Sequence, residues 1–323
     1  MICHRRFSLS LQVSFMQYIG LSAWIVLWLH FFEMCHIASG QTPDITTRKA
    51  GTVIKYKIAE GIHIDFCWIP KGKSQLGSTI LERKAVNELL ELPEDTKNLD
   101  NESSENRGIY STNGFWMSKY PITQAQWLAL RVESKQNATF SSTGRFDRLV
   151  ENIDTSMFPM ENISWVEIQI YINKLSALNS TKEIFDTKVK FKLPHEDEWE
   201  YAYRANLSNK IPFYWGKSLN GQHANCNGKY PYGTTEKGPH VGKPTTVGSY
   251  SRISPHPWGL CDMSGNVDQL CDNLFEKKEG IRVTRGGSFA SQAFTCRAAS
   301  RGRLDQTSRS FDTGFRIVAL LDE

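Results

Sequence analysis

The chain has 323 residues, 40% hydrophobic and 22% charged, which excludes a long disordered, collagenous or low-complexity polymer. Lys plus Arg number 38 against 34 Asp plus Glu, and the net charge of +4 is spread along the sequence, so there is no electrostatic footprint for nucleic acid. The 9 Trp, 11 Tyr and 17 Phe beside 23 Gly and 12 Pro suggest large aromatic anchors holding many turns, in one large domain or two ordinary ones.

Residues 1–40 read as a signal peptide. Basic His4-Arg5-Arg6 precedes a mostly apolar stretch from Ile19 to Phe32, and Ala38-Ser39-Gly40 offers small residues before Gln41. A spanning helix usually needs about 18 or more apolar residues, and Glu33 closes this stretch early. The expected location is therefore secreted or extracytoplasmic, with no membrane span after cleavage; an uncleaved membrane anchor is the alternative. Residues 41–61 read as an N-terminal linker. A strand is expected around Ile62–Trp68. Residues 82–106 are acidic, with Glu82, Glu88, Glu91, Glu94, Asp95, Asp100, Glu102 and Glu105, and read as a helical or disordered surface insertion.

Three helices follow. Thr123 with Gln126 forms a T-x-x-Q capping box opening a helix to about Arg131. Ser164 with Glu167 opens a second, with Trp165, Ile168, Ile172 and Leu175 on one face. Glu196 to Arg204 is the third: three carboxylates in its first turn suit the helix dipole, and Glu200 can pair with Arg204 four residues on. Asn220 to Tyr250 lacks periodicity and reads as a long ordered loop, of a kind often tied to function. Strands are expected at Ile281–Arg285 and Phe315–Leu320.

Seven cysteines occur, and none forms a CxxC pair, so zinc has no spacing signal. Loss of Cys3 and Cys35 with the signal leaves Cys67, Cys226, Cys261, Cys271 and Cys296, an odd set, so at least one thiol stays unpaired or pairs between chains. The connectivity is open.

Several segments, taken in order, carry a resemblance. They are Cys67-Trp68-Ile69-Pro70-Lys71-Gly72, Phe115-Trp116-Met117-Ser118-Lys119-Tyr120-Pro121, Leu193-Pro194-His195-Glu196-Asp197-Glu198-Trp199-Glu200-Tyr201, Phe213-Tyr214-Trp215-Gly216, Gly259-Leu260-Cys261-Asp262-Met263-Ser264-Gly265-Asn266-Val267, Arg285-Gly286-Gly287-Ser288-Phe289 and Gly314-Phe315-Arg316. This series resembles the sulfatase-modifying factor family, named for the formylglycine-generating enzyme, over residues 62–321. The resemblance implies an α+β fold: a single C-type-lectin-like domain, rich in ordered loops, with residues 82–106 as an insertion. Trp199, Trp215 and Phe315 are then expected in the core. Gly286-Gly287 serves a tight backbone position, and Arg316 and Glu198 are members of buried ion pairs.

In the formylglycine-generating enzyme two cysteines after Gly-Gly-Ser bind copper for oxygen-dependent oxidation of a substrate cysteine. Two thiolates suit that task because soft sulfur selects Cu(I). The resemblance places Ser291 and Cys296 at those positions, with Ser288 beside them as the third catalytic candidate. A neutral hydroxyl at 291 is a poor Cu(I) ligand. Cys296 then reads as a packed thiol or half of a disulfide. Arg297 and Arg301, with Arg303, are expected near the site, where they bind an anionic substrate group or form a solvated face. The family's calcium sites also look eroded. Asn225 and the Cys226 carbonyl match one site, but Lys237 stands near its aspartate position. Gly265, Val267 and Gln269 match the other, with Gln269 in place of a glutamate and Asp268 beside it as a substitute ligand.

Two functions follow. One is an exported domain without the copper oxidase centre, acting as a binding or structural module for a protein or peptide ligand. The other is a formylglycine-generating oxidase with copper, and calcium is a possible further ion in either.

Overall fold

The computed structural model describes residues 48–93, 99–130, 132, 138–141, 143–178, 185, 188–208 and 210–321. The expected signal peptide lies outside them. Among the described residues no helix is long and apolar enough to cross a membrane.

The chain opens with a hairpin of β1 (Val53–Ala59) and β2 (Ile62–Ile69), turned at Gly61 with φ +71°. The reading of residues 41–61 as a linker is corrected here: β1 pairs with β2 from Val53↔Cys67 to Ala59↔Ile62, and Tyr56 is fully buried. A strand hides in VIKYKIA because its outward Lys residues dilute the apolar signal. The hairpin belongs to a five-stranded sheet, in the order β1, β2, β5 (Phe115–Ser118), β11 (Val318–Leu321) and β6 (Val189–Lys192). A second sheet runs β10 (Thr313–Phe315), β7 (Asp268–Leu274), β8 (Ile281–Arg285) and β9 (Gly302–Asp305), and β3 (Gly72–Gln75) pairs with β4 (Ile109–Thr112).

Side-chain alternation along β2 feeds two cores. Ile64, Phe66 and Trp68 join one apolar cluster with Tyr56, Trp127, Tyr171 and Phe315, whereas Cys67 and Ile69 join another with Trp199, Met263 and Val283. The first sheet is therefore covered on both faces, which explains why β5 is buried at all four residues.

The helices are α1 (Ile80–Leu89), α2 (Ser104–Arg107), α3 (Gln124–Ala129), α4 (Trp165–Ser176) and α5 (Glu196–Arg204). Both expected capping boxes form: Thr123 with Gln126 starts α3, and Ser164 with Glu167 starts α4. The α3 helix ends at Ala129 rather than Arg131, which lies outside the described residues. Ile168, Ile172 and Leu175 of α4 are buried with Tyr171, whose ring stacks on Trp127 at 5.3 Å. The α5 helix keeps its expected bounds because His195 caps it, its Nδ1 accepting from Asp197 N at 3.2 Å, and Ala205 closes it in the left-handed region.

The expected strand over Phe315–Leu320 is two strands, β10 and β11. Arg316 breaks it by turning inward to donate to the Ser118 and Cys261 carbonyls at 2.8 Å each. The described residues of 205–267 hold no helix and no strand beyond isolated bridges such as Leu219↔Tyr232. The long ordered loop expected over Asn220–Tyr250 lies within this stretch.

Candidate functional site

The turn after β8 is built around two glycines. Gly286 and Gly287 have φ of +98° and +67°, where a side chain is strained. A Cβ at Gly287 would come within 2.7 Å of Cys296 Sγ. The turn delivers Ser288, whose Oγ donates to Asp312 Oδ2 at 2.7 Å. Ser291 folds back onto it: its Oγ accepts from Ser288 N at 2.9 Å and lies 3.0 Å from Ser288 Oγ. Ser288 and Ser291 are thus brought together.

Cys296 lies behind the same turn, its Sγ against Gly287, and faces the core. It ends the one-turn helix Ala293–Cys296 and is fully buried in an apolar cluster with Phe213, Leu219, Ala224, Cys226 and Tyr232. A hydrogen bond to the Cys226 thiol, and then burial, push the Cys296 thiol well above the ordinary cysteine range. This is the opposite of an activated nucleophile. A neutral hydroxyl at 291 and a protonated, core-facing thiol at 296 do not fit the two-thiolate copper centre that the resemblance implies.

The two arginines expected to meet substrate are committed to carboxylates. Arg297 is fully buried, with Nη1 donating to Glu82 Oε1 at 2.6 Å and Glu102 Oε1 at 2.9 Å. Arg301 clamps Glu196 through Nε and Nη2, both at 2.7 Å. Neither guanidinium is left for a substrate anion, and Arg303 lies exposed over the Phe275 ring at 5.5 Å. The acidic stretch 82–106 is helical in its described residues at both ends, as one of its two expected readings had it, but Glu82 and Glu102 reach inward from it as the counter-charges of Arg297.

Beside them, Glu200 accepts from Arg204 Nε at 2.8 Å and pairs with Arg285 Nη2 at 2.5 Å, and its Oε1 takes Gly77 N at 2.7 Å. The Glu200–Arg204 pair is the one expected from the helix spacing. Burial penalises the Glu196 charge, but Arg285, Arg301 and Arg107 outweigh it and hold its carboxyl down at about 2. Glu198 pairs with Lys192 at 2.8 Å. Arg316 pairs with carbonyls and with Gln269 rather than forming the expected ion pair.

That last contact bears on calcium. The Gln269 amide oxygen accepts from Trp199 Nε1 at 2.8 Å and from Arg316 Nε at 2.6 Å, so a guanidinium already occupies the place a cation would need. Asn225 keeps a buried Oδ1 without a hydrogen-bond partner, but its Nδ2 donates to Lys243 O at 2.9 Å, and the Cys226 carbonyl accepts from Gly228 N. Gly265 packs against the Asn225 carbonyl, and Val267 is buried facing Gly314. Calcium needs 6–8 oxygens including carboxylates. This donor set does not supply them, and among the described residues no group of three or more His, Cys, Asp or Glu is arranged to hold a metal.

Three acidic residues stand around Ser288, of which Asp312 and Glu161 escaped the sequence reading, while Asp268 was weighed there only as a substitute calcium ligand. Asp312 accepts from Ser288 and, through Oδ1, from Ser310 Oγ at 2.5 Å. Asp268 Oδ1 accepts from Gly287 N at 3.3 Å; enclosure raises its carboxyl to about 6, and the Asp312 charge adds to that rise. Glu161 is fully buried and accepts from Phe140 N at 2.9 Å through Oε1, while Oε2 has no hydrogen-bond partner. Burial lifts it to about 7. A cavity of about 520 Å³ adjoins them, lined among others by Thr139, Arg145, Phe146, Asn162, Arg309 and Phe311. Phe311 contacts Phe289, the residue after Ser288, at 5.9 Å. The sequence signals for this face were the Gly-Gly-Ser motif and, for Asp268, the Gly-Asn-Val motif before it; Glu161 and Asp312 arrive from distant loops.

Against known proteins, residues 62–321 match the family described as sulfatase-modifying factor enzyme 1-like domain. The chain is 22% identical over 245 residues to the chaperone protein LppX of Paenibacillus barcinonensis, covering 63% of this chain and 79% of that protein. It is 31% identical over 149 residues to the formylglycine-generating enzyme of Streptomyces coelicolor, covering 39% and 46%. To the inactive C-alpha-formylglycine-generating enzyme 2 of Bos taurus it is 28% identical over 171 residues, covering 50% of each chain. It thus spans half or less of the two formylglycine-named relatives. Among solved structures, PvdO from Pseudomonas aeruginosa matches with a TM-score of 0.60 at 18% identity, covering 85% of this chain and 100% of that one, a likeness of fold.

Proposed function

Because the chain belongs to the sulfatase-modifying factor enzyme 1-like domain family over residues 62–321, we propose that it is an exported member without the two-thiolate copper oxidase centre, working as a binding or structural module. The observation that carries this reading is the state of Cys296. An oxidase of this kind must present a reactive thiolate to its substrate. The Cys296 thiol is buried against Cys226, held protonated, and its partner position is Ser291. The relatives bear both kinds of name, formylglycine-generating and inactive, so the residues of the site decide between them.

Binding is assigned to the face that joins Ser288, Asp312 and the cavity of about 520 Å³. Arg145 is exposed there over the Phe146 ring at 5.5 Å, a combination suited to a protein or peptide segment carrying an acidic side chain. Export rests on the basic, apolar and small-residue order of residues 1–40.

The test uses the full chain with Cu(I), a reductant, oxygen and a peptide bearing a sulfatase-type cysteine. Mass spectrometry should find that cysteine unconverted. Formylglycine that forms with the wild-type chain and disappears with Cys296→Ala would overturn the reading in favour of the oxidase.

A further inference from the structure

Two thiols meet where the loop around Cys226 crosses the segment that follows Ser288. Asn227 N donates to the Ser291 carbonyl at 2.8 Å, and Asn227 forms a parallel bridge with Gln292. These contacts hold Cys226 next to the turn that ends in Cys296. The two cysteines are 1% and 0% exposed, share one apolar cluster and are hydrogen-bonded thiol to thiol. Gly287 leaves the room that Cys296 Sγ fills.

Cys67, Cys261 and Cys271 lie in a different cluster, where the Cys261 and Cys271 thiols turn to the carbonyls of Gly259 and Gln269. An apolar side chain would fill either the 226 or the 296 position as well as a thiol does. Both are free thiols in this structure, and Cys296 Sγ also faces the Gln292 carbonyl at 4.0 Å, but the hydrogen bond between the two thiols makes them the pair best placed to be joined.

We propose that Cys226 and Cys296 form a disulfide that ties the loop around Cys226 to the segment carrying Ser288 and Ser291. The oxidant is a small-molecule or protein disulfide. When the segment opens locally, one of the two cysteines ionises and its thiolate attacks the oxidant, forming a mixed disulfide and releasing one thiol. The second cysteine thiolate then attacks the protein-bound sulfur, closing the Sγ–Sγ bond and releasing the other thiol. Two electrons and the two cysteine protons leave with the two thiols released. The bond relies on the proposed export for its oxidising surroundings in the cell, although the test does not. Once closed, it removes Cys296 from any thiolate chemistry and braces the backbone behind the Ser288–Asp312 pair.

The full chain is incubated with glutathione disulfide, then denatured so that its remaining thiols are alkylated, and cut with trypsin. The expected product is Ser218–Lys229, which contains Cys226, joined to Gly286–Arg297, which contains Cys296. The link should raise the thermal midpoint by about 5 °C, reversibly with dithiothreitol, and Cys226→Ser should abolish that difference. Recovery of both peptides singly alkylated would overturn the pairing, as would linkage of either to another cysteine. So would a reductant-sensitive midpoint that persists in Cys226→Ser. A missing link would leave Cys296 a packed, unpresented thiol, so the pairing can fail without the non-oxidase reading failing with it.

Discussion

Around Arg297 and Arg285, the buried carboxylates of Glu82, Glu102, Glu196 and Glu200 each face a guanidinium. Around Ser288, the carboxyls of Asp268, Asp312 and Glu161 are packed among hydroxyls and backbone amides instead. Glu196 is held at about 2 and Glu161 is lifted to about 7, although burial raises Glu82 as well despite its pairing with Arg297. The first region is scaffold: each of its carboxylates is paired with a guanidinium inside the fold and lies away from the surface. The second retains polar capacity beside a cavity, which is how binding and catalytic faces differ from structural ion-pair networks. Arg297 and Arg301 look functional from their place in the sequence, yet they belong to the first region.

Removing one half of a buried pair separates the regions most sharply. Arg297→Met strands Glu82 and Glu102 and should lower unfolding stability by about 3–5 kcal/mol in urea titrations. A loss below about 1 kcal/mol would mean that the acidic stretch does not depend on Arg297.

Gly287→Ala tests the close approach at the boundary of the two regions. It places a methyl against Cys296 Sγ at a positive φ and should cost about 1–3 kcal/mol. Adding Cys296→Ala should return part of that, and strict additivity of the two changes would contradict the contact.

Glu161→Gln should act through pH. The folded chain holds the Glu161 proton up to about 7, whereas the unfolded chain releases it near the ordinary value of 4.5. Stability associated with that proton is therefore present in acid and lost as pH rises between these values. The substitution should stabilise the chain by about 1–3 kcal/mol at pH 8 and change little at pH 4. Equal effects at both pH values would remove Glu161 from the comparison. The smallest effect is expected from Ser291→Ala, about 1 kcal/mol or less, since the hydroxyl it removes sits at the edge of its network.

What the sequence made legible was local. The capping boxes of α3 and α4, the bounds of α5 and the strand at Ile281–Arg285 depend on neighbours within one turn or one strand. Ser288 and Ser291, both on the segment of the Gly-Gly-Ser motif, lie 3.0 Å apart. Long-range partners were not legible: Arg297 meets Glu82 across 215 residues and Glu102 across 195. Likewise Cys226 meets Cys296, and Asp312 meets Ser288, through loops with no period to read. β1 was missed because only alternate residues of it face the core.

The central claim is that Cys296 is packed rather than presented, and its alkylation in the reduced, folded chain tests it most directly. At pH 8 iodoacetamide should modify Cys296 only as fast as the chain opens, and Arg297→Met should accelerate the reaction along with unfolding. Modification of the native wild-type chain at the rate of an exposed thiol, persisting down to pH 6, would contradict the account. It would reveal a low-pKa thiolate at the site instead.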